Sequence, residues 1–200
     1  MSIPFLIPFL CALALLVVIA RTIVYRKPPH DLDQVILFVR KLDVSDLETL
    51  LDAGEEWTLQ QALTPPAFRD AQEARMQLVR EYLRRVAHNV DVIQHWVAGE
   101  YELIKEKERD SYTEKDRLVA EALQVAVELR MYWLAAAFKL WVWTVFRVYR
   151  WPRLLLPPLA NLKVQCGVNV LAQYRRLTEV AGMLSLRHGS EYRDRLFQAL

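Results

Sequence analysis

Apolar and polar positions along this chain fall into three regimes. From Ile3 to Ala20 no residue carries a charge, and Arg21, Arg26 and Lys27 follow at once. From Thr64 to Trp151 apolar residues recur at steps of three and four. Elsewhere short amphipathic runs are broken by proline, glycine and capping residues. The first regime predicts a membrane span, the second a pair of long helices, and no alternating strand pattern competes.

The uncharged run is eighteen residues long, and Thr22–Tyr25 lengthens it if Arg21 snorkels. A helix of roughly 20 apolar residues crosses a bilayer core. Pro4 and Pro8 fall in its first two turns, where a missing N–H costs least. A cleaved signal peptide would need a basic leader and a small-x-small site before the mature chain. Only Met1 and Ser2 precede the run, and Ala12-Leu13-Ala14 lies inside it. We therefore read residues 1–27 as an uncleaved transmembrane anchor with a basic flank. Arg21, Arg26 and Lys27 set its direction: by the positive-inside rule residues 1–2 lie outside and the rest is a cytoplasmic domain on the inner membrane. Cys11 and Cys166 are too far apart in this plan to bridge, in keeping with a reduced compartment.

Residues 28–63 read as a linker region of short helices. Asp31 or Asp33 caps the first, Ser45-Asp46-Leu47-Glu48 has capping-box spacing with Gly54 as a stop, and Glu55–Leu63 forms another. Residues 64–151 read as a long antiparallel helical hairpin. Thr64 caps an outgoing helix to about Glu108, whose stripe is Val79, Leu83, Val86, Val90, Ile93, Val97 and Ile104. The return helix repeats it with Val119, Ala122, Ala126, Leu129, Trp133, Ala136 and Leu140, after a cap at Thr113. Residues 152–200 read as a basic segment packing on the hairpin. Pro157-Pro158 opens a helix to about Leu186, with stripe Leu162, Cys166, Val170, Leu177, Val180 and Leu184, and Gly189 precedes a last short helix. The fold class is all-α: one transmembrane helix and a helical bundle built round the hairpin.

Charge divides along the chain. Residues 28–128 hold 12 basic and 21 acidic side chains, whereas residues 129–200 hold 11 basic and 3 acidic ones. Such asymmetry implies a surface that meets something anionic, or two halves that meet each other.

Met131–Trp151 holds four of the six tryptophans. Lys139, Arg147 and Arg150 project into an arc of about 80° and the remaining surface is apolar or aromatic. A second span is disfavoured, because a central Lys139 costs roughly 2.5–3.5 kcal/mol on insertion and the cationic segment beyond would be exported. Two compatible readings stay open: an interfacial helix held against anionic lipid by Trp133, Lys139, Trp141, Trp143, Arg147, Arg150 and Trp151, or a bundle helix filling core.

His88, Asp91 and His95 share one helical face and are the only residues with a metal-ligand character worth naming. Glu81, Arg84 and Glu102 lie on the same face, which reads as a solvated stripe, and the Glu-x-x-His pairs of a di-iron bundle are missing. Glu121 and Glu128 read as solvated, as does the Arg175-Arg176 pair. No nucleophile elbow and no glycine-rich phosphate loop occur. The expectation is a non-enzymatic scaffold or adaptor without cofactor or nucleic acid. Its partners are the membrane and a protein, or its own copies, met through helical surfaces. The alternatives are a metal- or small-molecule-binding bundle enzyme, and a regulatory module docking an acidic partner through the basic C-terminal third.

Overall fold

The computed structural model describes residues 32–107, 114–148, 162–165 and 168–200. They form an all-α bundle: α1 Leu32–Phe38, α2 Val44–Leu50, α3 Ala53–Ala62, α4 Pro65–Lys107, α5 Glu114–Val148, α6 Val170–Ser185 and α7 Ser190–Ala199. Residues 1–27, with Arg21, Arg26 and Lys27, lie outside the described residues. Among the described residues no helix, α5 included, is long and apolar enough to cross a membrane.

Helices α4 and α5 form the expected hairpin. Arg130 reaches Asp91 and Arg80 reaches Thr144, so residue numbers fall on α5 as they rise on α4. The heptad stripes meet in the core: Val79, Leu83, Val86, Val90, Ile93 and Val97 are buried against Val119, Ala122, Ala126, Leu129, Ala136 and Leu140. Thr64 accepts the first helical bond from the Phe68 amide at 2.8 Å, and Pro65-Pro66 fills the first turn, where no N–H is needed.

Helix α6 lies against both hairpin arms. Asn89 meets Tyr174, Glu100 meets His188 and Glu121 meets Arg176, which sets α6 parallel to α4 along the half near the inter-helix connection. Val170, Leu177, Val180 and Leu184 face the core. Helices α1 and α7 close that side together, tied by Asp33–Arg195 at 3.0 Å and by the Leu42 amide on the Leu200 carbonyl at 2.8 Å. Gly189 takes φ 128° between α6 and α7, a conformation that suits glycine.

Three local expectations are corrected. The cap of α2 is Asp43, not Ser45: its Oδ1 accepts from the Ser45 amide at 2.9 Å and the Asp46 amide at 3.4 Å. The Asp43 carboxylate, two residues earlier, caps the helix before Ser45 can. Gly54 is not a stop but sits in the first turn of α3, which Asp52 caps through the Glu55 amide at 3.1 Å. The helix expected from Pro157-Pro158 does not run unbroken through the described residues: α6 spans Val170–Ser185, and residues 157–161 and Cys166 lie outside them. Val164–Gln165 and Val168–Asn169 pair instead as a short antiparallel bridge, and the Asn169 side chain caps α6 by accepting from the Leu171 and Ala172 amides. Leu162 is buried ahead of that helix rather than on its stripe.

The opposed charges of the two halves pair within the molecule. Arg175 meets Glu48 at 3.1 Å, Arg176 meets Glu121 at 2.6 Å, Arg195 meets Asp33, and Arg130 meets Asp91. Arg175, Arg176 and Glu121 are thus inter-helix ties, not bare solvated surface. At such partly exposed positions each pair is worth about 0–1 kcal/mol, so they select the register in which α6 and α7 dock more than they drive it.

Candidate functional site

Helix α5 is apolar on two faces, and only one is used by the hairpin. On the other, Val127, Met131, Phe138 and Trp141 are each more than half exposed. Their spacing of four, seven and three keeps them in one helical stripe, with Leu134 half-buried between them. Helix α6 meets α5 through the core face and Glu121, and leaves this stripe exposed. Phe138 and Trp141 stack with ring centroids 5.9 Å apart and planes at 26°, which stiffens the aromatic end of the stripe.

Beside Trp141, an open crevice of about 330 Å³ separates α5 from α4. Leu83, Trp133, Ala137, Leu140 and Trp141 supply its apolar wall, and Arg80, Arg84 and Thr144 its polar rim. Arg80 donates to the Thr144 hydroxyl, which donates in turn to the Leu140 carbonyl at 2.7 Å, so this guanidinium is held in place. The Arg84 side chain is 69% exposed, with Glu81 3.9 Å away, too far for a hydrogen bond. The contact is a loose ion pair, since Glu81 also bonds Arg85 at 3.2 Å through its other oxygen. The rim therefore carries a net positive charge next to an aromatic wall.

Of the expected membrane-interface residues, Trp133 is half-buried and packs on the core, Lys139 is half-buried and Trp141 is exposed. The side chains of Trp143 and Arg147, and the residues Arg150 and Trp151, lie outside the described residues. Chain-wise, the aromatic helix serves both as core and as exposed surface.

The His88, Asp91 and His95 set is not brought together as a ligand group. His88 Nε2 donates to the Phe38 carbonyl at 2.8 Å, His95 Nδ1 donates to the Asp91 carbonyl at 2.7 Å, and the Asp91 carboxylate takes Arg130. Along that face Arg84 and Glu102 are exposed, as a solvated stripe would have them, while His88, Asp91 and His95 are half-buried, with His88 and Asp91 in contacts to other segments. Among the described residues no group of three or more His, Cys, Asp or Glu side chains is placed to hold a metal.

One buried polar network was not legible in the sequence. Asn89 Nδ2 donates to the Arg40 carbonyl and to the Tyr174 hydroxyl, both at 2.8 Å, and its Oδ1 accepts from the Arg40 amide at 2.9 Å. Burial pushes the Tyr174 phenol up to about 12, with the Asn89 bond acting the other way. The group stays neutral and serves as a fixed hydroxyl, not as an acid or base.

Known relatives add nothing to this picture. No family model, curated protein or solved structure matches the chain.

The residues missed from sequence were Arg80, Arg84 and Ala137 on the crevice, and Val127 and Met131 on the stripe. For the stripe a signal existed: the second run of steps of four and three, offset from the heptad seam. For the crevice none did, because its lining comes from stretches of α4 and α5 that are remote in sequence and meet only in the fold.

Proposed function

We propose that this protein is a membrane-anchored, non-enzymatic scaffold or adaptor, held by residues 1–27 and presenting a helical bundle at the cytoplasmic face. The observation that carries the reading is the exposed stripe Val127, Met131, Phe138 and Trp141 on a helix otherwise secured in the core. Large apolar side chains left contiguous on a rigid helix mark a surface that meets another molecule. The hydropathy of Ile3–Ala20 and the basic flank supply the tether and its direction. Tethering restricts the stripe to the layer beside the bilayer, where its effective concentration for a neighbouring subunit is high.

A metal- or small-molecule-binding bundle is the weaker reading, since His88, Asp91 and His95 are engaged in structural contacts. Docking of an acidic partner by the basic C-terminal third is weakened too, because Arg175, Arg176 and Arg195 already face acidic residues of the same chain.

The test uses the full chain with a C-terminal tag in cells. It is expected to resist alkaline carbonate extraction, to expose its tag on the cytoplasmic side, and to give discrete crosslinked protein adducts. Those adducts should disappear in Met131→Glu/Phe138→Glu. Extraction by carbonate overturns the anchor, and adducts insensitive to the double substitution overturn the adaptor surface.

A further inference from the structure

We propose that the crevice between α4 and α5 is a lipid site: it receives an acyl chain of an acidic phospholipid from the bilayer while Arg84 holds the phosphate. This rests on the membrane-anchored reading above and names what one part of the domain binds.

The wall chemistry selects an acyl chain. Leu83, Ala137 and Leu140 form an aliphatic floor and Trp133 and Trp141 are its sides, with no carboxylate among the lining residues. At about 330 Å³ the volume lies at the small end of ligand sites, roughly 300–1,000 Å³, and suits part of a chain better than a whole lipid. Its openness to solvent on one side would leave a headgroup in water. Tryptophan at such a rim also matches the preference of indole for the headgroup level.

The rim selects the sign of the headgroup. Arg80 is fixed on Thr144, whereas Arg84 is largely exposed and held only by a loose ion pair with Glu81, so one guanidinium supplies standing charge and the other can close on a phosphate. Arg84 and Arg85 share Glu81, Arg85 at 3.2 Å and Arg84 at 3.9 Å, so one carboxylate faces two guanidiniums and positive charge is left over beside the rim. A zwitterionic headgroup brings its own cation against this rim, whereas an acidic one does not.

The direction of the chain permits the approach. The Phe38 carbonyl rests on His88, one turn along α4 from Arg84, and Leu37 and Phe38 are themselves exposed. The described chain thus starts, at Leu32, one short helix away from the crevice flank. On the anchored reading only residues 28–31 separate the tether from Leu32, a reach that keeps the domain, crevice included, near the bilayer surface.

The experiment reads tryptophan fluorescence of the full chain in nanodiscs of phosphatidylcholine doped with lipid brominated on its acyl chains, since bromine quenches indole on contact. Brominated phosphatidylglycerol is expected to quench at least about twofold more than brominated phosphatidylcholine at equal mole fraction, the size of effect one interfacial cation provides. Arg84→Glu, an exposed position that leaves the core intact, should remove that preference. Ala137→Leu, which fills the crevice, should reduce quenching by both lipids. Trp133→Phe/Trp141→Phe should remove most of the quenching. Equal quenching by the two lipids, or insensitivity to both Arg84→Glu and Ala137→Leu, overturns the site. Loss of the acidic preference on adding inorganic phosphate at constant ionic strength also overturns it, because the crevice is then a plain anion site. Carbonate extraction reports on the anchor separately. A chain that resists extraction but shows no selective quenching loses this site alone, and an extracted chain loses the anchor together with it.

Discussion

The Asn89 side chain lies 2.8 Å from the Tyr174 hydroxyl and joins three segments that are remote in sequence. Its amide also exchanges two bonds with the Arg40 backbone, so helix α4, helix α6 and the segment after α1 are fixed to one another by one buried group. Asn89→Ala leaves the Arg40 amide and carbonyl without these partners. The expected loss is about 2–3 kcal/mol of stability in urea unfolding, with an unchanged slope. A loss below about 0.5 kcal/mol would show that water replaces the amide without cost.

Tyr174 also predicts an alkaline limb. Its phenol ionises at about 12 when folded and near 10 when unfolded. The unfolded state therefore releases its proton first, so the contribution is complete below pH 10 and is lost as pH rises toward 12. A two-unit shift corresponds to about 2–3 kcal/mol across that window. Unfolding measured at several alkaline pH values should show this slope, and Tyr174→Phe should flatten it even though it lowers stability at neutral pH.

Gly182 sets the distance between α6 and α7. A Cβ built there comes within 2.5 Å of Phe197 Cζ and 2.7 Å of its Cε2. The contact is the outer edge of a partly exposed ring, so Gly182→Ala should push the ring aside. The gain of about 1 kcal/mol in helix propensity then offsets the displacement. Gly182→Val offers no such escape and should cost about 1–3 kcal/mol. Limited proteolysis is the check: the valine variant alone should become cleavable after Arg193 or Arg195.

Arg130 and Asp91 pair across the hairpin. A double-mutant cycle with alanine at both positions should give a coupling of about 0.5–1 kcal/mol that fades in molar salt. Coupling that persists undiminished at high salt would mean that packing, not charge, links the two positions.

The exposed stripe separates stability from association. Met131→Glu/Phe138→Glu should leave thermal unfolding within about 0.5 kcal/mol of the parent, because neither side chain is core. A large destabilisation would reassign these residues to internal packing and remove them from the adaptor surface.

The helical hairpin was legible because its cause is local. Steps of three and four, repeated from Val79 to Val97 and again from Val119 to Leu140, have one solution in a helix, and two such stripes bury each other. Thr64 with Pro65-Pro66 marked the start of α4 for the same reason: the chemistry of a first turn is written in adjacent residues. The cap at Asp43 and the start of α6 at Val170 were not legible, because Asp43 and Ser45 are both good caps for alternative first turns and the β-bridge partner of Val164–Gln165 decided the second case. Charge patterning told that the acidic and basic parts of the chain would matter to each other or to an outside surface. The packed structure shows part of the first, with Arg175 on Glu48 and Arg176 on Glu121. His88, Asp91 and His95 shared a face by periodicity alone, yet Phe38 and Arg130 claimed them from other segments.

Sequence by itself determined the length and seam of α4 and α5, because periodicity is a property of neighbouring residues. The tertiary structure decided which apolar face of α5 stays bare and where the Asn89 network closes. Each of those depends on where α6 docks, and the energy of docking is a sum over residues the chain keeps far apart.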